Sequence, residues 1–174
     1  MSRKMLFFDI DGTLVAEGTH YLPQSAVNAI RKARENGHLV FINTGRTRFS
    51  IDDFLEEIGF DGYVCGCGTA IYVGEKTIFK NTLTKEYCRE IIKMLRTCNI
   101  TAVFEEENRV FFDEELPDHK ILHDLRARFG TKAFDIPKSL EDGEILFDKF
   151  VVWVNTVSDY KICLLYTSDA ADEL

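Results

Sequence analysis

Met5-Leu6-Phe7-Phe8-Asp9-Ile10-Asp11-Gly12-Thr13-Leu14 opens as an apolar run and closes on two carboxylates separated by one residue. A short apolar run that stops at polar residues predicts a buried strand. Side chains two apart in an extended chain point the same way, so Asp9 and Asp11 face one side of the strand's end. Gly12 permits a close turn there that can offer its backbone N–H groups to an anion. Two like charges so close need a cation between them. Carboxylate oxygens suit Mg²⁺, which keeps coordination positions open for phosphate. A calcium loop of the Asp-x-Asp-x-Asp-Gly kind does not fit. Thr13 and Leu14 stand where its Asp and Gly belong, and His20 where its bidentate Glu belongs.

The chain outward from this stretch repeats one theme. Pro23 and Ser25 mark a helix start, Ala26, Ile30 and Ala33 follow at helical spacing, and Gly37 ends it. Leu39-Val40-Phe41-Ile42 is a second apolar strand, ending in Asn43-Thr44-Gly45-Arg46. A helix with Phe54, Leu55 and Ile58 on one face comes next, then a third strand, Tyr63-Val64-Cys65. Uninterrupted apolar strands alternating with helices predict an α/β fold with a parallel sheet covered on both faces. In such sheets ligands bind beyond the C-terminal strand ends, which adds Thr44, Gly45 and Arg46 to Asp9 and Asp11. For Arg46, pairing with a nearby carboxylate is as good a reading as binding phosphate.

The pattern then changes. Ala70–Val73, a Gly74-Glu75 turn and Thr77–Phe79 predict a β-hairpin. A helix from about Thr84 buries Cys88, Ile91, Ile92 and Leu95, and strands are expected at Thr101–Phe104, Arg109–Phe112 and Phe150–Val154. Pro117 is expected to open a further helix carrying Ile121, Leu122, Leu125 and Phe129, with Gly130 closing it. This is an α+β layer, so residues 1–81 are assigned to one domain and 82–162 to a second.

At 174 residues, 45% hydrophobic and 29% charged, the chain has the balance of a globular protein with a real core. A net charge of −8 without a block of Lys or Arg argues against nucleic acid or an anionic membrane as partner. No apolar run reaches membrane-spanning length. Five cysteines without a disulfide-framework spacing suit a reducing, cytoplasmic compartment. Cys65 and Cys67 are expected to be small buried thiols beside a glycine turn. His119 and His123 are expected on an exposed helix face, and Glu105–Glu107 and Asp113–Glu115 as solvated flanks of strands.

Asp9-Ile-Asp11-Gly-Thr13 on a first strand and Asn43-Thr44-Gly45-Arg46 on the next resemble the first two motifs of the haloacid dehalogenase superfamily. With a second domain after the hairpin, the resemblance is to its Cof-type phosphatases, which carry a large α/β cap. It implies a Rossmann-like core with an inserted α+β cap. It implies a Mg²⁺-dependent phosphate-monoester hydrolase acting on a small phosphorylated metabolite such as a sugar phosphate. In that scheme Asp9 is the nucleophile and a metal ligand. Asp11 is the general acid and base, with its backbone carbonyl on the metal. Gly12, Thr13, Thr44, Gly45 and Arg46 surround the phosphate. A phosphomutase using the same two Asp residues, or a fragment without turnover, remains an alternative. Cys65-Gly66-Cys67-Gly68-Thr69 departs from the Asn-Gly-Ala more usual in the family's third loop. The family's later Lys and its Gly-Asp-x-x-x-Asp stretch do not occur in these residues. Finally, Cys163 to Glu173 resembles a translated sequencing adapter, so residues 163–174 are expected to be an artefact and the protein to continue after 162.

Overall fold

The computed structural model describes residues 2–16, 19, 21–140 and 145–154, so the adapter-like stretch from Cys163 lies outside the described residues. The chain divides into two compact units, Met1–Asn81 and Thr82–Leu174.

The first unit is a five-stranded sheet in the order β1-β2-β3-β4-β5. Strands β1 (Met5–Phe8), β2 (Leu39–Asn43) and β3 (Gly62–Cys65) are parallel, and the hairpin β4 (Ala70–Val73) and β5 (Lys76–Lys80) continues the sheet antiparallel. Helix α1 (Gln24–Glu35) starts after Pro23 and stops at Asn36, where Gly37 adopts φ 84°. Val27 and Ile30 of α1 join Leu6, Phe8, Val40, Ile42 and Tyr63 in one buried cluster. Leu55 of α2 (Asp53–Glu56) joins the same cluster, so within this unit both helices cover one face of the sheet. This corrects the expectation of cover on both faces for β1. The opposite face carries Phe7 stacked on Phe41, with ring centroids 5.1 Å apart, and Phe7 stays 51% exposed. Helix α2 is one turn long, shorter than its apolar spacing suggested, because the chain first spends Arg48–Ser50 on a 3-10 turn.

Glycine has a steric task in β3. A Cβ at Gly62 would stand 2.3 Å from the Tyr72 carbonyl oxygen and 2.7 Å from the Phe41 ring.

The second unit has a four-stranded sheet, β8-β7-β6-β9. Its members are β6 (Thr101–Glu105), β7 (Val110–Phe112), β8 (Ala133–Asp135) and β9 (Lys149–Trp153). β8 was not expected, since three residues are too few to show alternation. Helix α3 (Lys85–Cys98) is capped by the Thr84 hydroxyl, which accepts from the Tyr87 N–H. It buries Cys88, Ile92 and Leu95 against Ala102, Phe104, Phe111 and Phe147. Helix α4 (Lys120–Phe129) begins after His119 rather than at Pro117, because the His119 Nδ1 accepts from the Ile121 N–H at 3.2 Å and supplies the cap. His119 is therefore not on the helix face, and His123 bonds Asp118 at 3.0 Å. Asp113 is not a solvated flank either. It is buried and receives the Arg96 Nε and Nη2 at 2.8 and 3.0 Å. Glu105 is likewise buried, with the Lys149 ammonium 3.6 Å away.

Gly62→Ala is expected to destabilise the protein by about 1–3 kcal/mol through overpacking, read as a lower midpoint in urea. An unchanged midpoint would show that Tyr72 and Phe41 yield freely. Among the described residues β1 pairs only with β2 and leaves Met5 and Phe7 exposed. Such an apolar edge recruits other chains, so the 174-residue chain expressed alone should self-associate. Phe7→Lys should shift it toward monomer in size exclusion. A monomeric parent would contradict this.

Candidate active site

Parallel register builds the site. Phe8 pairs with Ile42 and Asn43 with Val64, so the chain leaves β1, β2 and β3 on the same side of the sheet. Asp9 follows β1 directly. Ile10 is fully buried while Asp9 and Asp11 on either side of it are exposed, which is the alternation expected from their spacing.

The turn after Asp11 is closed by its own backbone. The Gly12 N–H donates to the Val15 carbonyl at 2.8 Å, the Thr13 N–H to the Ile10 carbonyl at 3.2 Å, and Gly12 takes φ 77°. The anion-donor role expected of these two N–H groups is therefore already occupied by turn hydrogen bonds. Gly12 instead supplies the left-handed backbone, and the Thr13 hydroxyl reaches toward Asp9, donating to its Oδ2 at 3.5 Å.

Thr44 is buried at the end of β2, tied to β3 by its N–H to the Val64 carbonyl at 2.9 Å. Its hydroxyl oxygen accepts the Arg46 N–H at 3.1 Å, which leaves the hydroxyl hydrogen to donate elsewhere. Gly45 lies under the third loop, where an added Cβ would stand 3.3 Å from the Cys67 Sγ. That loop is fastened by the Gly66 N–H to the Arg46 carbonyl at 2.8 Å and the Cys67 N–H to the Thr44 carbonyl at 3.3 Å. Cys67 is exposed with φ 57°, so only Cys65 of the pair matches the expectation of a buried thiol. The glycines on both sides of Cys67 hold the loop in left-handed turns that carry its side chain outward.

Arg46 takes the carboxylate-pairing alternative. Its Nε and Nη2 donate to the two oxygens of Asp11 at 3.0 and 2.7 Å, and its Nη1 donates to the Asp52 Oδ2 at 2.8 Å and the Ser50 carbonyl at 3.3 Å. The hydrogen bond with Asp11 above all, together with Asp52, pushes the guanidinium above its ordinary value against the cost of burial, so it stays charged. The neighbour gripping Asp11 is thus a cation. Sequence reasoning also missed Asp52 and Ser50. An Asp at a helix start reads as a cap, and nothing local says that it turns toward an arginine.

Asp9 offers a hard, exposed carboxylate and Asp11 a backbone carbonyl at the same strand end. No group of three or more His, Cys, Asp or Glu residues able to hold a metal occurs among the described residues. A cavity of about 390 Å³ in the second unit is lined by Phe112, Asp113, Leu116, Leu122, His123 and Arg126, and none of the sequence-assigned site residues belongs to it. No helix among the described residues is long and apolar enough to cross a membrane.

The chain is similar to known proteins. The chain is 31% identical over 139 residues to YkrA of Bacillus subtilis (strain 168), a match covering 80% of this chain and 52% of YkrA. It is 34% identical over 73 residues to the pyridoxal phosphate phosphatase YbhA of Escherichia coli (strain K12), covering 41% of this chain and 26% of YbhA. Among solved structures, the HAD subclass IIB sugar phosphatase BT4131 superposes with a TM-score of 0.62 at 26% identity, covering 81% of this chain and 54% of that one. The chain spans about half the length of the first of these relatives. The family model described as haloacid dehalogenase-like hydrolase matches residues 6–170, and the chain belongs to that family.

Proposed function

We propose that the protein is a Mg²⁺-dependent phosphatase acting on a small phosphorylated metabolite, with Asp9 as nucleophile. The observation that carries this reading is the exposed carboxylate pair at the end of β1, beside the buried Thr44 hydroxyl at the end of β2. Relatives named as phosphatases support the reaction class, and a sugar phosphatase among the structural relatives supports the substrate class.

Asp9 attacks phosphorus through a carboxylate oxygen, the ester oxygen leaves, and an aspartyl-phosphate forms. Asp11 gives the leaving oxygen a proton, then takes one from the water that attacks the intermediate and releases inorganic phosphate. The Thr44 hydroxyl donates its free hydrogen to a phosphoryl oxygen. Thr13 orients Asp9, and Arg46 keeps its charge on Asp11. Gly12 supplies a left-handed turn at φ 77°, and Gly45 lets its loop lie close to Cys67. Mg²⁺, held by the Asp9 carboxylate and the Asp11 carbonyl, would neutralise charge on the phosphoryl oxygens. These are two protein ligands, only one of them a carboxylate, too few to hold the ion firmly beside water, and the family's later Gly-Asp-x-x-x-Asp stretch would complete the set. Four free cysteines among the described residues suit a reducing cytoplasmic setting.

The full-length protein is expected to hydrolyse p-nitrophenyl phosphate with Mg²⁺ and to stop on chelation. Asp9→Asn should lower kcat by several orders of magnitude, on the order of 10⁴-fold or more. Near-parental turnover in that variant would remove Asp9 from the mechanism. Asp11→Asn should cost about 10²–10⁴-fold in kcat yet keep Mg²⁺ affinity better than Asp9→Asn, measured by calorimetric titration. Equal loss of affinity in the two variants would show that the two roles are misassigned. Release of free phosphate, rather than an isomerised sugar phosphate, separates hydrolysis from mutase activity.

A further inference from the structure

Asp11 is 59% exposed and follows a strand end, and Arg46 grips both of its carboxylate oxygens. An acid that must meet one leaving oxygen and later one water cannot be left loose. The residue that fixes it, Arg46, has a long side chain with large rotamer freedom of its own. What holds Arg46 is therefore as important as what Arg46 holds.

We propose that Asp52 is a positioning residue for Asp11, acting through Arg46. The guanidinium uses its Nε/Nη2 edge on Asp11 and gives the remaining Nη1 to Asp52 and to the Ser50 carbonyl. Asp52 is 22% exposed and Arg46 19%, so this anchor is better shielded than the carboxylate it serves. The backbone is shaped for the contact. The Thr47 and Ser50 hydroxyls are buried 3.1 Å apart, and Ser50 closes its turn with two hydrogen bonds to the Thr47 carbonyl, from Oγ at 2.9 Å and from N–H at 3.1 Å. This tight turn folds the chain back so that Asp52 reaches Arg46, six positions earlier. A second, independent observation agrees. Asp52 occupies the N-cap of α2, where Asp ordinarily accepts from a helix N–H, yet its side chain makes no such bond. The carboxylate is spent on Arg46 instead.

This inference rests on the acid/base role proposed for Asp11. In the full-length protein, Asp52→Ala should lower kcat by about 10–100-fold and leave KM near the parent value, because the phosphate contacts stay in place. Asp52→Asn, whose amide oxygen can still accept from Nη1, should recover part of the loss. In an Asp11→Asn background Asp52→Ala should cost little more, since the group it positions has gone. The Arg46 Nε–H resonance, assigned by its disappearance in Arg46→Lys, should move or broaden in Asp52→Ala. Unchanged kcat in Asp52→Ala, an equal loss in the Asp11→Asn background, or an unmoved Nε–H signal would each overturn the proposal. The resonance reads the clamp without turnover, so failure of the phosphatase reading and failure of the clamp are told apart.

Discussion

The parallel register of β1 and β2 brings together the two strand ends that carry Asp9, Asp11, Thr44 and Arg46. With Phe8 opposite Ile42, the two strands end together, so Asp9 and Asp11 leave the sheet at the same end as Thr44 and Arg46, and Arg46 reaches Asp11. A shift of one residue would turn Asp9 and Asp11 toward the buried cluster that now receives Ile10. The burial of Leu6, Phe8, Ile10, Val40 and Ile42 therefore does more than stabilise the first unit. It fixes which side chains stand outside.

Around that register the loops are held by a small set of polar contacts. The Thr44 hydroxyl ties its own loop through the Arg46 N–H, and the Cys65–Thr69 loop is tied to both Thr44 and Arg46 through backbone bonds. Arg46 is the point where these contacts converge, since its backbone serves two loops and its side chain joins Asp11 to Asp52. A site assembled in this way has its charges oriented before substrate arrives, which is how fixed dipoles and charges contribute most to rate.

Local periodicity was enough to show the apolar runs and hence both strand ends that carry Asp9, Asp11 and Thr44. It also showed the hairpin of β4 and β5 and the buried stripe of α3. Pairing between distant residues was not legible. Asp113 looks like a solvated flank until Arg96 reaches it, and nothing local shows that the Thr47–Ser50 turn brings Asp52 to Arg46. Gly12 and Thr13 are a different case. Their N–H groups read as anion donors because glycine turns near strand ends often serve so, whereas here the turn uses them to close on Val15 and Ile10. In each case the residue types were right and the partner was set by tertiary structure.

The central claim is that phosphate passes through Asp9. Acid quenching of the full-length protein during turnover, followed by digestion and mass spectrometry of the peptide containing Asp9, tests it most directly. The account predicts a phosphoryl group on Asp9 that is absent without substrate. A phosphoryl group found on a different residue, or steady turnover with none on Asp9 at any quench time, would contradict it.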